Sequence, residues 1–253
     1  MTITKIKEIK YSVKHNEKLD VYLPDCKGFK TVVYFHGGGL ITHGKADENT
    51  VNIAESFVKA GYAFVSADYR IYPDAKFPEF IEDAADAVLY VKKHIQEWGG
   101  SEDIIISGQS AGAWLALMLC LDKRYLESVG ISPLCIKGWI IDSAQTTAHF
   151  NVLHYELGAH TLAQRINEFA PLFFVDNDTA FTKMLLIFYE EDMPCRYEQN
   201  LLFYKTIKAF NKEADVSYQV LNGTHCHGSC VKDEDGEYPY VKTAMKWLKE
   251  KNL

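Results

Sequence analysis

One stretch of the 253-residue chain, residues 103–114, joins a strand pattern directly to a helix pattern. A run of β-branched residues passes through the string Gly-Gln-Ser-Ala-Gly into an apolar segment rich in alanine and leucine. So sharp a turn brings two backbone segments together and leaves no room for a Cβ atom at Gly108 or Gly112. It holds the Ser110 hydroxyl out of the sheet, beside the amide of Ala111 in the first helical turn, where negative charge is favoured. The stretch predicts a nucleophilic serine that reacts through an oxyanion.

The rest of the chain alternates strand patterns with helix patterns. The other predicted strands cover residues 6–13, 19–23, 31–35, 62–67, 138–142, 183–189 and 216–221, and the main predicted helices cover 47–60, 79–97, 198–210 and about 238–248. The first two strands are expected to form an antiparallel hairpin at one edge. This order predicts a mostly parallel sheet, with helices on both faces and functional sites at the strand carboxyl ends. Without repeats or linkers, residues 1–253 are predicted to be one domain.

Between residues 143 and 180 the periodic pattern weakens. Aromatic and histidine residues are interspersed with polar ones, and residues 165–170 are predicted to be helical. A connection of this length inside a compact domain usually carries function or its own short helices. We expect a small cap or pocket wall over the carboxyl edge of the sheet.

Charge and composition exclude several classes of partner. The chain has 27 basic and 34 acidic residues, a net charge of −7, and no basic run. A nucleic-acid partner is therefore not expected, and neither is a membrane, since no apolar run approaches the length of a span. The N-terminus lacks the pattern of a signal peptide and the six cysteines are scattered, so we expect reduced thiols and a cytoplasmic location. The oligomeric state is open, and a homodimer is one expectation.

Three consecutive glycines follow the predicted strand 31–35, in the run from His36 to Gly39. Such a run is costly in entropy, and it suits a place where backbone amides approach a ligand closely. Its position at a strand carboxyl end favours an oxyanion-binding loop over a flexible turn. His36 is expected to support this loop by hydrogen bonding.

A serine hydroxyl needs a base, and that base needs an orienting acid. The chain offers these groups in the order serine, acid, histidine. Asp192 is the favoured acid because it is short and lies at the turn that leaves the sheet; Glu191 is second and Asp142 third. For the base, His227 is favoured because it precedes a glycine and a small residue, and His225 is the alternative.

The histidine loop also contains Cys226 and Cys230, but their spacing is not that of common metal modules. One catalytic histidine among incidental neighbours is the favoured interpretation, so no metal is expected.

These motifs resemble the α/β-hydrolase superfamily, and within it the small carboxylesterases related to hormone-sensitive lipase and the acetyl esterases. The resemblance is carried by the His36–Gly39 run, the Asp-Tyr-Arg string at residues 68–70 with Phe77 and Pro78 and the helix after them, the serine elbow, and the two terminal loops. It implies an eight-stranded sheet with a short lid-like insertion, and in the family the Asp-Tyr-Arg segment braces the glycine run. The site residues it implies are Ser110 as nucleophile, Asp192 as acid, His227 as base, and the amides of Gly38, Gly39 and Ala111 as oxyanion donors.

The resemblance implies a serine hydrolase that cleaves small-molecule esters with small acyl groups, without a cofactor. Two rival functions stay open. One is an arylformamidase, because a related group with a similar glycine-rich loop hydrolyses an aryl formamide. The other is a binding protein of the same fold whose site has decayed. A true lipase is disfavoured, since no long apolar lid or membrane-binding helix is evident.

Overall fold

The computed structural model describes residues 2–12 and 15–253. Within these ranges it contains eight strands, eight α-helices and two short 3₁₀ helices. The strands are β1 (Thr4–Lys10), β2 (Lys18–Leu23), β3 (Phe29–Phe35), β4 (Ala63–Ala67), β5 (Gly100–Gln109), β6 (Gly138–Asp142), β7 (Met184–Glu191) and β8 (Val216–Thr224). The helices are α1 (Glu48–Lys59), α2 (Glu79–His94), α3 (Ala111–Leu121), α4 (Lys123–Ser128), α5 (Phe150–Leu157), α6 (Arg196–Phe210), α7 (His227–Cys230) and α8 (Pro239–Glu250), and the 3₁₀ helices are Pro133–Cys135 and Pro171–Phe174.

The eight strands form one sheet in the order β1-β2-β4-β3-β5-β6-β7-β8. β1 and β2 are antiparallel to their neighbours, and every pairing from β4 to β8 is parallel. The predicted mostly parallel sheet and its antiparallel edge hairpin are confirmed. Val13, the predicted end of the first strand, lies outside the described residues.

Both faces of the sheet are covered, because the central strands are apolar on both sides. In β3, Val33 and Phe35 belong to the same buried cluster as residues of α2, α3 and α6, whereas Val32 and Tyr34 belong to the cluster that contains residues of α1 and α8. All eleven residues of α3 are buried, which fits its central position behind β5. This confirms the α/β fold class and places the carboxyl ends of the parallel strands along one edge, where connecting loops form a site.

Residues 143–180, here called the cap segment, differ from the prediction. Its α-helix is α5, which begins where the His149 side chain accepts a hydrogen bond from the Asn151 amide and ends at Gly158 in the left-handed conformation. The predicted helix over 165–170 is wrong. Ala170 is extended (φ −111°, ψ 124°) because a proline follows it, and proline disfavours the helical region for the residue before it.

No helix in the described part of the chain combines the length and the apolar character needed to cross a membrane.

Candidate active site

Ser110 lies at the turn between β5 and α3, with a strained backbone conformation (φ 53°, ψ −112°) that L-residues rarely adopt. A Cβ atom at Gly108 would clash with the backbone of Gly112, and one at Gly112 would clash with the carbonyl of Phe35. The Ser110 amide donates to the carbonyl of Asp142 at 2.8 Å. The two glycines thus permit the close approach that the sequence predicted, and β6 fixes the turn from its other side.

The histidine whose ring reaches Ser110 is His225. Its Nε2 lies 2.8 Å from Ser110 Oγ, and its Nδ1 lies 2.5 Å from Asp192 Oδ1. The histidine side chain is about one quarter exposed and faces the cleft, whereas the Asp192 side chain is wholly buried. Serine, histidine and aspartate therefore form a continuous hydrogen-bonded relay from the cleft into the protein.

The preference for His227 is not supported by this geometry. The sequence pattern predicted that the last strand ends at residue 221, but β8 continues to Thr224, so His225 is the first residue after the strand. Cys226 then adopts a left-handed conformation (φ 58°) and starts the short helix α7, which turns the His227 ring back against Gly223. The length of the strand, which periodicity fixes poorly, decides which histidine meets the serine.

Asp192, the favoured acid, directly follows β7, and its carboxylate lies beside the His225 ring. Its Oδ1 also accepts a hydrogen bond from the Met193 amide at 2.6 Å, which orients the carboxylate. Glu191 and its neighbour Glu190 are exposed at the end of the strand. The geometry therefore leaves Glu191 as a surface carboxylate.

Asp142, the third candidate acid, is fully buried at the end of β6, and its carboxylate accepts hydrogen bonds from side chains other than those of the relay. The hydroxyl of Tyr189 donates to its Oδ1 at 3.0 Å, and the hydroxyl of Ser229 donates to its Oδ2 at 2.7 Å. The Ser229 hydroxyl in turn accepts from the side-chain amide of Gln109 at 2.6 Å. Asp142 thus ties the serine elbow to the histidine loop.

Burial raises the pKa of the Asp142 carboxyl to about 7, although the hydrogen bonds from Ser229 and Tyr189 oppose the shift.

This raised pKa predicts a pH dependence of stability. A free aspartate titrates near 3.8, so between about pH 4 and pH 7 the folded protein keeps a proton on Asp142 that the unfolded chain has lost. Through this group the free energy of unfolding falls as pH rises, by at most about 1.4 kcal/mol per pH unit. Asp142→Asn lacks this titration. Its free energy of unfolding, relative to that of wild type, should therefore rise as pH rises. Urea unfolding of both proteins between pH 4 and pH 8 measures the difference; parallel stability curves would contradict the prediction.

The glycine loop, residues 36–39, packs beside the serine elbow. A Cβ atom at Gly37 would lie 3.5 Å from the Ser110 Cβ atom. The Gly37 carbonyl accepts from His36 Nδ1 at 2.8 Å, and Tyr69 stacks on the His36 ring and donates to the His36 carbonyl at 2.8 Å. Burial lowers the pKa of His36, so the ring is neutral and carries its proton on Nδ1. His36 and Tyr69 therefore brace the loop, in agreement with the sequence-based expectation for both.

These contacts also orient the amides of the loop. In a trans peptide the C=O and N–H groups point in opposite directions. Because the Gly37 carbonyl turns towards His36 Nδ1, the amide of Gly38 points to the other side. The Gly38 carbonyl accepts from the amides of Ile41 and Thr42, both at 3.1 Å, so the amide of Gly39 likewise points away from them. The Ala111 amide lies at the first position of α3, where it has no intrahelical acceptor.

A cleft of about 640 Å³ opens above the relay. It is bordered by the glycine loop, the start of α1, the serine elbow and the histidine loop. The lining residues are His36, Gly37, Gly38, His43, Asp47, Glu48, Asn49, Thr50, Gln109, Ser110, Met193, His225, Cys226 and Cys230. Most of these side chains are polar, so the cleft suits a small ligand with polar groups.

The six cysteines are free thiols. No group of three or more histidine, cysteine or acidic side chains is arranged to hold a metal ion within residues 2–12 and 15–253.

Comparisons with known proteins agree with the fold. The family model BD-FAE matches residues 19–134, slightly less than half of the chain. A probable isoprenylcysteine alpha-carbonyl methylesterase of Oryza sativa subsp. japonica is 31% identical over 124 residues, which cover 48% of this chain and 29% of the relative. An acetyl esterase of Salmonella typhi is 32% identical over 105 residues, 41% of this chain and 32% of the relative. The chain thus matches about a third of the length of these curated relatives.

Among solved structures, the propionate-bound thermophilic esterase Est2 from the Planctomycetes species Thermogutta terrifontis superposes with a TM-score of 0.77. The two are 21% identical, and the match covers 98% of this chain and 93% of that one. A serine elbow on an eight-stranded, mostly parallel sheet, with an acidic residue and a histidine on the two loops that follow, is the arrangement of the α/β-hydrolase fold. This chain has that fold, and the proteins that it resembles carry the names of esterases.

Proposed function

We propose that this protein is a serine hydrolase that cleaves carboxylic esters with small acyl groups through an acyl-enzyme intermediate. The observation that carries the proposal is the relay from Ser110 through His225 to the buried Asp192, with both ring nitrogens of the histidine in hydrogen-bond reach of their partners.

The first half of the reaction follows from these contacts. His225 Nε2 removes the proton from Ser110 Oγ as the oxygen attacks the ester carbonyl, and Asp192 stabilises the imidazolium that forms. The carbonyl oxygen becomes an oxyanion, for which the amides of Gly38, Gly39 and Ala111 are the proposed donors. Each such donor contributes about 3–4 kcal/mol in acyl-transfer enzymes. His225 then gives its proton to the departing alcohol, which leaves the acyl group on Ser110.

The second half repeats the chemistry with water. His225 removes a proton from a water molecule that attacks the acyl carbon. The oxyanion forms at the same donors, and the proton returns from His225 to Ser110 Oγ as the carboxylic acid leaves. Every step uses groups of this chain and water.

Two observations support a small acyl group. The cleft is modest in volume and mainly polar, which disfavours a long aliphatic chain. One curated relative is named an acetyl esterase, and the Est2 neighbour was solved with propionate.

Hydrolysis of p-nitrophenyl acetate, butyrate and octanoate, with a formanilide as an amide substrate, tests the proposal. We expect kcat/KM for acetate and butyrate to exceed that for octanoate by about tenfold or more, since the extra methylene groups find no apolar pocket. Ser110→Ala supplies the background.

The other outcomes would overturn the proposal in distinct ways. Faster hydrolysis of the formanilide than of the esters would identify an arylformamidase. No hydrolysis above the Ser110→Ala background, together with no labelling of Ser110 by a fluorophosphonate, would identify a non-catalytic protein.

A further inference from the structure

The glycine loop has three consecutive carbonyl groups, and each has a partner. The Gly37 carbonyl is held by the His36 ring, and the Gly38 carbonyl by the amides of Ile41 and Thr42. These partners come from the loop itself or from the residues directly after it, and the Tyr69 hydroxyl adds a longer contact of 3.4 Å to the Gly37 carbonyl. A run of glycines has unusual backbone freedom, so local contacts alone leave its last peptide the least restrained.

The carbonyl of Gly39 is held from elsewhere. The side-chain amide of Asn151 donates to it at 2.6 Å, across 112 positions of sequence. Asn151 lies in the first turn of α5, in the cap segment, and it is buried. Gly39 is left-handed (φ 64°), and so is the non-glycine residue after it, Leu40 (φ 62°). Asn151 therefore restrains the loop where two consecutive residues are left-handed.

Helix α5 is held in place by contacts of its own, so the position of Asn151 relative to the glycine loop is restrained. At the other end of the helix, the Glu156 carboxylate accepts from the Tyr72 hydroxyl at 2.7 Å and from the Phe77 amide at 3.0 Å. Tyr155 stacks on the Tyr72 ring with 4.2 Å between ring centroids. These contacts attach α5 to the loop after β4, and they leave Asn151 directly over the glycine loop.

We infer that Asn151 is a positioning residue through which the cap segment holds the amides of Gly38 and Gly39 in the geometry that receives the oxyanion. This inference rests on the proposed function. Asn151 does not touch the substrate; it acts through the Gly39 peptide. The cap segment then contributes to the catalytic arrangement through the glycine loop, although its residues are not among those that line the cleft.

Two substitutions at this position test the inference. Asn151→Leu has a similar shape but no hydrogen-bond donor, and Asn151→Asp donates only while its carboxyl is protonated. A donor displaced by about 1 Å costs about 100-fold in rate, so we expect kcat of Asn151→Leu to fall by about 10- to 100-fold. KM should stay within about twofold, because the oxyanion forms only after the substrate has bound and its interaction with the amides does not contribute to ground-state binding. For Asn151→Asp, the ratio of its kcat to that of wild type should fall as pH rises.

Asn167→Asp is the matched control. It makes the same amide-to-carboxylate change in the cap segment, and the carboxylate keeps the hydrogen bond that the Asn167 oxygen accepts from the Phe169 amide. We expect wild-type kcat and KM from this variant. Affinity for a trifluoromethyl ketone, which mimics the oxyanion, should fall in Asn151→Leu by the same factor as kcat and stay unchanged in Asn167→Asp.

Hydrogen exchange gives a readout that needs no activity. The amides of Ile41 and Thr42 are hydrogen-bonded to Gly38, so they report on the loop, and we expect faster exchange in Asn151→Leu than in wild type or Asn167→Asp. Unchanged exchange, or a folded Asn151→Leu with wild-type kcat, would overturn the inference. If wild type hydrolyses no ester, the proposed function fails, and exchange alone decides whether Asn151 holds the loop. If Asn151→Leu does not fold, Asn151→Asp, which keeps the size of the side chain, carries the same measurements.

Discussion

His225→Ala is expected to remove almost all ester hydrolysis, whereas His227→Ala keeps it near the wild-type level. Without His225, Ser110 loses the base that its hydroxyl contacts in the described part of the chain, and a serine hydroxyl alone is a poor nucleophile at neutral pH. Removal of the serine or the histidine of such a relay costs about 10⁶-fold in kcat elsewhere, so the loss should match that of Ser110→Ala.

The two histidine variants form a matched pair, since they remove the same side chain two positions apart. The His227 ring packs on Gly223 at the end of β8, and its loss should affect local stability more than chemistry. Hydrolysis of p-nitrophenyl acetate by purified variants of equal thermal stability gives the comparison. An inactive His227→Ala beside an active His225→Ala would show that the relay in the structure is not the one used.

Asp192→Asn is expected to lower kcat by about 10⁴-fold with little change in KM. The carboxylate accepts a hydrogen bond from the N–H group at His225 Nδ1 and so keeps Nε2 free to act as a base. An asparagine in its place can present its amide to the ring, which favours the wrong tautomer, and the imidazolium loses its counter-charge.

Glu191→Gln is the control for this prediction. It removes a carboxylate from the neighbouring position, where the side chain is exposed at the end of β7, so activity should stay at the wild-type level. A kcat measurement at saturating substrate, with the KM of each variant, separates the two. Equal losses in both variants, or a loss in Glu191→Gln alone, would reject Asp192 as the acid.

The placement of the histidine shows where sequence reasoning reached its limit. The apolar pattern of the last strand fades after residue 221, yet its pairing with β7 continues to Thr224, opposite Glu191. A strand is extended by hydrogen bonds to its neighbour, which the residues of one strand do not reveal. His227 was favoured for the glycine and the small residue after it, but the three further residues of β8 bring His225 to the serine instead.

Asn151 was missed for a related reason. It lies in a segment with weak periodicity, and one asparagine in such a segment carries no signal. Its contact with Gly39 joins residues far apart in the sequence, and it becomes visible only after α5 has packed over the sheet edge. Asp142 was noticed as an acid, but only the structure shows that Tyr189 and Ser229 hold it away from the relay.

The sequence by itself determined the elements whose causes are local. Steric exclusion at Gly108 and Gly112 dictates the serine elbow, consecutive glycines dictate the loop after β3, and apolar runs alternating with amphipathic helices dictate a mostly parallel sheet. Only the tertiary structure decided which histidine meets Ser110, and which residue of the cap segment contacts the glycine loop. Those choices depend on strand ends and loop packing, where a shift of one or two residues costs little in local energy but moves a side chain by several ångströms.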